Sequence, residues 1–224
     1  MPVPAPPPLR ATIIIDYQNI HLVGHDTFAR PTPRHKTLID PIKFAEQLIK
    51  TRNDAQKPGY SKAVIERVLV YRGLPSSEYD PADNARNLAQ RNHWQRDSRV
   101  KVSLRPLRYR LNRDASNNPL YDEDGRPSII EKREKGIDVL CALAVVREAR
   151  RSDGVVILAS HDSDLEPALD EAVDLQQAKI ETMCWQPPRP NSFFYQLRCE
   201  RQRLWCTRMN EEAFVASRDL TPYR

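Results

Sequence analysis

The stretch GVVILASHDSDLEPAL, residues 154–169, decides the fold because it joins a buried strand pattern directly to a polar turn and a helix start. Its apolar run is typical of a strand covered on both faces. Asp162 and Asp164 follow at once. Two like charges so close together indicate either a solvated turn or a site for a cation. Ser163 and Glu166 fit a capping box, so a helix cap explains the stretch, taken alone, as well as a site does.

Strand patterns alternate with helix patterns along the rest of the chain. The strands are predicted at residues 11–16, 64–73, 99–111, 155–160 and 179–185, and the helices at 40–53, 77–97, 135–151 and 163–176. The first of these helices has Asp40 as its N-cap and Pro41 at its first position. Such alternation predicts an α/β fold in which helices cover both faces of a parallel sheet.

The remaining segments are punctuated by proline and by turn signals. Residues 1–10 form a proline-rich stretch predicted to be a disordered tail, and residues 11–224 are predicted to be a single domain. Residues 23–39 are predicted to be irregular, and the chain after residue 185 to be helical or irregular. Within 112–130, SNNP and DEDGRP predict a hairpin-like insertion or flap.

Composition limits the class of protein and its partners. A net charge of +5 favours anionic partners such as nucleic acid. The four cysteines show no metal-ligand spacing and indicate reduced thiols. No leader pattern and no apolar run of about 20 residues is present, so we expect a cytoplasmic protein without a membrane partner.

Three segments carry acids in apolar surroundings. The strand at 11–16 ends in Asp16, the strand at 155–160 leads into Asp162, and Asp138 is the one charged residue between Ile137 and Val146. Each acid alone has a structural explanation, as a turn, a helix cap or a partner of the helix dipole. A helix that is apolar almost all round is expected to be buried, where an unpaired carboxylate is costly. Acids gathered at one rim of a sheet indicate a site for Mg²⁺ or Mn²⁺.

Other phosphate chemistries fit the sequence less well. A phosphatase of the haloacid dehalogenase type needs an aspartate two residues after the first one, where Gln18 stands. Dinucleotide and P-loop sites need glycine-rich turns, and the chain has six glycines and neither motif. A serine hydrolase would need a nucleophile elbow, which the sequence lacks. Metal-dependent cleavage of phosphodiesters is the chemistry that these sequence features still allow.

Three motifs in order, IIIDYQNI (13–20), EKGIDVLCALAVV (134–146) and ILASHDSDLEPAL (157–169), resemble those of the NYN domains, named for the Nedd4-binding-protein and YacP-like nucleases. The resemblance extends over most of residues 11–185. It implies a PIN-like three-layer α/β/α sandwich with a central, mostly parallel sheet of about five strands. It also implies cleavage of RNA that depends on Mg²⁺ or Mn²⁺.

The resemblance also assigns roles to individual residues. The implied metal-binding and catalytic acids are Asp16, Asp138, Asp162 and Asp164. The implied supporting or substrate-contacting residues are Asn19, Ser160, His161, Glu134 and Lys135. The chain departs from the family pattern at His161, where glycine is usual, and this makes the loop bulkier. Glu134 is predicted one helical turn before Asp138, either as an additional ligand or as a solvated charge.

A basic stretch supplies a candidate RNA surface. Residues 84–113 contain nine lysines and arginines and a single acid, Asp97. Aromatic rings among such cations can stack on unpaired bases. The candidate RNA-binding residues are Lys101, Arg105, Arg108, Arg110, Trp94 and Tyr109. A solvated helix face and strand would give the same pattern. The hairpin could close over the RNA or pack against a second subunit, which leaves a homodimer open.

The sequence therefore predicts a metal-dependent ribonuclease with Mg²⁺ or Mn²⁺ as cofactor. One alternative is a catalytically weak RNA-binding or regulatory module on the same fold. A metal-dependent DNA nuclease or phosphatase is another.

Overall fold

Six parallel strands form the central sheet of the protein, in a computed structural model that describes residues 6–123, 125–188 and 194–223. The strands are β1 (Leu9–Asp16), β2 (Ala63–Leu74), β3 (Val100–Pro106), β4 (Arg108–Leu111), β5 (Ile129–Arg133), β6 (Val155–Ala159), β7 (Lys179–Trp185) and β8 (Trp205–Met209). The main sheet has the order β3-β2-β1-β6-β7-β8, and every neighbouring pair in it is parallel. β4 and β5 form a separate antiparallel pair.

Among the described residues, six α-helices cover the sheet on both faces. They are α1 (Tyr17–Phe28), α2 (Pro41–Asp54), α3 (Pro81–Trp94), α4 (Ile137–Arg151), α5 (Glu166–Asp174) and α6 (Glu211–Ala216). Ile13 and Ile15 of β1 belong to a core that includes residues of α1, α2, α3 and α6. Ile14 faces the opposite way, into a second core with α4 and α5. This alternation is the two-residue period of a strand, and it confirms the expected three-layer α/β/α sandwich.

Several segment predictions were right and others were wrong. Asp40 caps α2 as expected, since its side chain accepts hydrogen bonds from the Ile42 and Lys43 amides. The tail prediction was wrong at its end because β1 begins at Leu9, while residues 1–5 lie outside the described residues. The region after residue 23 is not irregular throughout, since α1 continues to Phe28. A sixth strand, β8, replaces part of the expected irregular tail, so the sheet has one strand more than predicted.

The predicted third strand is divided at Leu107, and its second half leaves the main sheet. β4 pairs antiparallel with β5, so the insertion includes residues on both sides of the predicted 112–130 hairpin. We call residues 108–133 the arm. The bridges Arg113 to Pro119 and Tyr121 to Pro127 lie inside it. β5 ends directly before residues 134–136, and the arm therefore stands beside the start of α4.

No helix within the described residues combines the length and apolar character needed to cross a membrane.

Candidate functional site

The strand order reverses direction between β1 and β6, and a cleft opens at their carboxyl ends. In an open α/β sheet such a reversal leaves a crevice in which ligands bind. Asp16 ends β1, and Asp162 follows β6 by three residues. The cavity there has a volume of about 530 Å³. It is lined by Asp16, Gln18, Asn19, Leu22, Arg133, Glu134, Lys135, Gly136, Ile137, Asp138 and Asp162.

A hydrogen-bond network fixes the loops that carry the first acids. The Ser160 hydroxyl donates to Oδ2 of Asp16 at 3.1 Å and accepts from the Asp162 amide at 3.1 Å. The Asn19 side-chain oxygen accepts from the His161 amide at 2.8 Å. Asn19 and Ser160 therefore hold β1, α1 and the loop after β6 in one arrangement. Both were predicted as supporting residues, and the structure places both beside the acids.

Asp138 enters the cleft from the first turn of α4. The preceding Gly136 adopts a left-handed conformation with φ of 79°, which favours glycine. The prediction that α4 is buried all round was wrong. Val139 and Leu143 are 55% and 60% exposed, and Asp138 itself is half-buried. Its carboxylate thus lies at the wall of an open cleft.

Glu134 is part of the same cleft, although its position differs from the predicted one. It lies in the connection between β5 and α4 and not on the helix with Asp138. Its Oε1 accepts a hydrogen bond from the Gly73 amide, and the residue is half-buried. A Cβ at position 73 would lie 2.6 Å from that oxygen, so glycine permits this close approach. The reading of Glu134 as a solvated charge was therefore wrong.

Burial raises the pKa of two acids of the cleft. Burial, with added repulsion from Glu134 and Asp162, raises the pKa of Asp16 to about 7 despite its bond with Ser160. Burial also raises the pKa of Glu134. Beneath them, burial and then the charges of the four acids raise the pKa of the Cys141 thiol. Negative charge is thus concentrated where a cation would relieve it.

The raised pKa of Asp16, caused mainly by its burial, leads to a pH-dependent difference in stability between wild type and Asp16→Asn. Because folding raises the Asp16 pKa, the folded protein keeps a proton that the unfolded chain loses between pH 4 and about 7. That stabilisation is lost as pH rises through this window. With chelator present, we expect Asp16→Asn to gain stability relative to wild type by up to a few kcal/mol between pH 4 and 7.5. Urea unfolding at several pH values measures the gain. A difference in the free energy of unfolding that stays constant from pH 4 to 7.5 would contradict the raised pKa of Asp16.

The side chains of Asp164 and His161 do not line the cavity, although the His161 amide donates to Asn19. Asp164 is exposed and does not line the cavity, so the structure does not bring it together with the other predicted metal-binding acids. Its amide donates to Asp162, which caps this turn in place of the predicted capping box of Ser163 and Glu166. The His161 ring is half-buried, with Nδ1 3.2 Å from the Tyr195 carbonyl oxygen and Nε2 3.4 Å from the Trp185 amide. The ring links these backbone segments, and His161 is not among the lining residues.

The donor set of the cleft fits a hard divalent cation. Carboxylate oxygens are the ligands that Mg²⁺ and Mn²⁺ prefer. Their spacing is wide: within the described ranges, only Asp40, His93 and Asp219 bring three possible ligand atoms within 4.8 Å of one another. Mg²⁺ usually keeps several waters and uses one or two carboxylates directly. The direct ligands would come from Asp16, Asp138, Asp162 and Glu134.

The predicted RNA-binding residues divide into two groups. Lys101, Arg105, Arg108 and Arg110 are exposed, and Arg105 donates to the Lys135 carbonyl oxygen at 2.7 Å, next to the cleft. Trp94 is 3% exposed and donates to Asp219 in the core. Its predicted role in base stacking was therefore wrong.

Tyr109, the other predicted stacking residue, is tied into the protein. Its ring is half-buried and lies 5.1 Å from that of Tyr79. Its hydroxyl donates to Asp80 at 2.7 Å and accepts from the Ser76 amide at 2.9 Å. These contacts join the arm to the start of α3. They position β4 beside the cleft.

Two residues near the cleft had no predicted role. Gln18 lies in the first turn of α1 and lines the cavity. Arg72, near the end of β2, stacks over the Tyr17 ring at 4.7 Å and donates to Gln90 at 2.5 Å. Its charge also acts on Glu134. The signal in the sequence was a charge at the carboxyl end of a strand, beside Gly73.

Comparisons with known proteins do not assign the chain to a family. No family model and no curated protein matches it. One similar solved structure is a Vibrio parahaemolyticus protein of unknown function, with 18% sequence identity and a TM-score of 0.44 over 79% of this chain and 81% of that one. A likeness at that level assigns neither a family nor a function.

Proposed function

We propose that the protein is a metal-dependent ribonuclease that hydrolyses RNA phosphodiester bonds at the cleft between β1 and β6. The observation that carries the proposal is the convergence of Asp16, Asp138, Asp162 and Glu134 on one cavity. They come from three segments of the chain: the end of β1, the stretch that leads into α4, and the loop after β6. Such a concentration of charge, with a raised Asp16 pKa, is typical of functional sites.

The opposite charges in the cleft favour a phosphodiester substrate. Arg133 and Lys135 line the same cavity as the acids. Helices α1 and α4 also begin at the wall of this cavity, and the amino end of a helix attracts anions. A phosphate could therefore lie against these groups while a cation lies against the carboxylates.

Each group of residues in the cleft has its own proposed role in cleavage. A bound Mg²⁺ or Mn²⁺ would supply an activated water and neutralise charge on the phosphate. Ser160 and Asn19 orient the acids through the contacts described above. Glu134, positioned by the Gly73 amide and with a raised pKa, is suited to accept a proton from the attacking water. Lys135 and Arg133 bind the phosphate.

A matched pair of variants tests this assignment. Asp162 lines the cavity, whereas Asp164, two residues away, is exposed outside it. With single-stranded RNA titrated with Mg²⁺ and Mn²⁺, we expect Asp162→Asn to abolish cleavage and Asp164→Asn to leave it close to wild type. DNA and a small phosphate ester, offered side by side, test the alternative substrates. Equal cleavage of RNA by wild type, Asp162→Asn and Asp164→Asn would contradict the assignment of the site to this cavity.

The arm gives a second, separable prediction on binding. Arg108→Ala combined with Arg110→Ala removes two exposed cations of the arm. We expect RNA affinity to fall by about 10-fold at low salt and the slope of log K against log salt to decrease by about 1 to 2. Arg150→Ala with Arg151→Ala, at the far end of α4, is the matched control. Equal losses in both double variants would show that only net charge matters.

One observation favours the RNA-binding module as a second candidate function. Among the described residues, no three ligand atoms of the cleft acids lie within 4.8 Å of one another. A protein that kept this spacing with RNA bound would hold the ion through fewer direct contacts. It would bind RNA and leave it intact in Mg²⁺ or Mn²⁺.

We also infer a cytoplasmic location. All four cysteines are free thiols, as is usual for proteins of a reducing compartment.

A further inference from the structure

Asp40, His93 and Asp219 meet on the face of the sheet formed by α2 and α3, although they are far apart in sequence. Asp40 precedes α2, His93 lies in the last turn of α3, and Asp219 follows α6. One possible ligand atom from each lies within 4.8 Å of the others. Both aspartates are 7% exposed. Buried carboxylates in such proximity need a cation or a full set of hydrogen-bond donors.

The hydrogen bonds of the cluster leave specific lone pairs free. Oδ1 of Asp40 accepts from the Ile42 and Lys43 amides at 3.0 and 3.2 Å, while no hydrogen bond from a described residue reaches Oδ2. Nε2 of His93 lies 3.2 Å from the Thr221 hydroxyl oxygen. If Nε2 carries the proton and donates it, the Nδ1 lone pair is free. Asp40 and His93 can thus each offer a ligand atom.

Asp219 is held in place by neighbouring donors. Its Oδ2 accepts from Trp94 Nε1 at 2.7 Å and from the Tyr223 hydroxyl at 2.6 Å. Its Oδ1 accepts from the Thr221 amide at 2.9 Å, and the Thr221 side chain also stabilises this carboxylate, so a bound ion would take the place of the Thr221 hydroxyl. Hydrogen bonds of this kind orient the ligands of metal sites. Within the described part of the chain, no lysine or arginine forms an ion pair with Asp40 or Asp219.

We propose that Asp40, His93 and Asp219 bind a divalent transition-metal ion of the Zn²⁺ class, separate from the cleft. One imidazole and two carboxylates form a mixed nitrogen and oxygen donor set that suits Zn²⁺ better than Mg²⁺. The remaining coordination positions would hold water. The inference goes beyond the proposed ribonuclease function and does not depend on it.

The expected role of this ion is to fasten the C-terminal segment to the domain. The Asp219 amide donates to the Leu38 carbonyl oxygen at 2.8 Å, and the Asp40 amide donates to that of Ser217 at 2.9 Å. Asp219 also bonds to Trp94 at the end of α3. A metal shared by these three positions would lock residues 217–221 against α2 and α3.

The test is Zn²⁺ binding by the full chain after removal of metal with a chelator. Equilibrium dialysis with metal analysis is run on wild type, His93→Ala and the cleft variant Asp138→Asn. We expect wild type and Asp138→Asn to bind one equivalent of Zn²⁺ that raises Tm, and His93→Ala to lose both the equivalent and the Tm increase. Retention of the equivalent in His93→Ala, or no Zn²⁺-dependent change in the Tm of wild type, would overturn the proposal.

A spectroscopic measurement on wild type covers the case in which His93→Ala fails to fold. Co²⁺ in place of Zn²⁺ should give visible d–d bands from nitrogen and oxygen ligands, and Zn²⁺ should displace them. A thiolate charge-transfer band would instead place the ion on free cysteines such as Cys206 and overturn the proposal. Because neither readout involves RNA, failure here is distinct from failure of the ribonuclease function.

Discussion

Asp16→Asn is expected to reduce metal-dependent RNA cleavage on the order of 100-fold or more. Loss of groups that merely orient metal ligands already costs about 10–100-fold, and Asp16 is itself a proposed ligand. Asparagine keeps the shape of the side chain and can still accept the Ser160 hydrogen bond, so the fold should persist. Single-turnover cleavage at saturating RNA and Mn²⁺ measures the loss.

The matched control is Ser160→Ala, which leaves the Asp16 carboxylate present but removes the hydroxyl that positions it. We expect a smaller decrease in rate, part of which higher Mn²⁺ concentration restores. An Asp16→Asn protein that cleaves as fast as wild type would remove Asp16 from the chemistry.

Arg52→Met is expected to give the largest loss of stability, about 3–5 kcal/mol, because it leaves a buried carboxylate without its main partner. Arg52 and Glu181 are both fully buried, with hydrogen bonds of 2.8 and 2.9 Å between guanidinium and carboxylate. The pair joins α2 to β7 through the core. Urea or guanidinium unfolding measures the free energy.

Two further variants distinguish the stability contribution of the buried pair from that of a surface charge. Lys179 also contacts Glu181, at 2.8 Å, but is 45% exposed, so Lys179→Met should cost no more than about 1 kcal/mol. The double variant Arg52→Met with Glu181→Met should recover much of the loss, since it buries no unpaired charge. Equal destabilisation by Arg52→Met and Lys179→Met would show that burial does not decide the cost.

The framework of the sheet was predictable from strand ends. Apolar runs that stop at Asp16 and before Asp162 located both β1 and β6, and these became neighbours at the point where strand order reverses. The α2 cap at Asp40 was equally local, because its signal lies within four residues. Features of this kind depend on the backbone period and on capping, which a sequence displays directly.

Other features depended on contacts between distant segments. α1 was missed, and its last residues fell in the proline-punctuated stretch predicted to be irregular, yet Gly24 serves close packing there: a Cβ would lie 2.8 Å from the Phe214 ring. Trp94 sits in a basic stretch that resembles a surface, but Asp219, far along the chain, takes its indole proton into the core. The charged pattern EKREKG is typical of a solvated segment, but the amide of Gly73 in β2, distant in sequence, donates to Glu134 and holds it in the cleft.

Cleavage of end-labelled single-stranded RNA by wild-type protein across a Mg²⁺ and Mn²⁺ titration tests the proposed function most directly. We expect no cleavage in chelator, a rate that rises and saturates with either ion, and its disappearance in Asp162→Asn but not in Asp164→Asn. RNA that is bound by the wild type but stays intact at every concentration of both ions would contradict the proposed ribonuclease function.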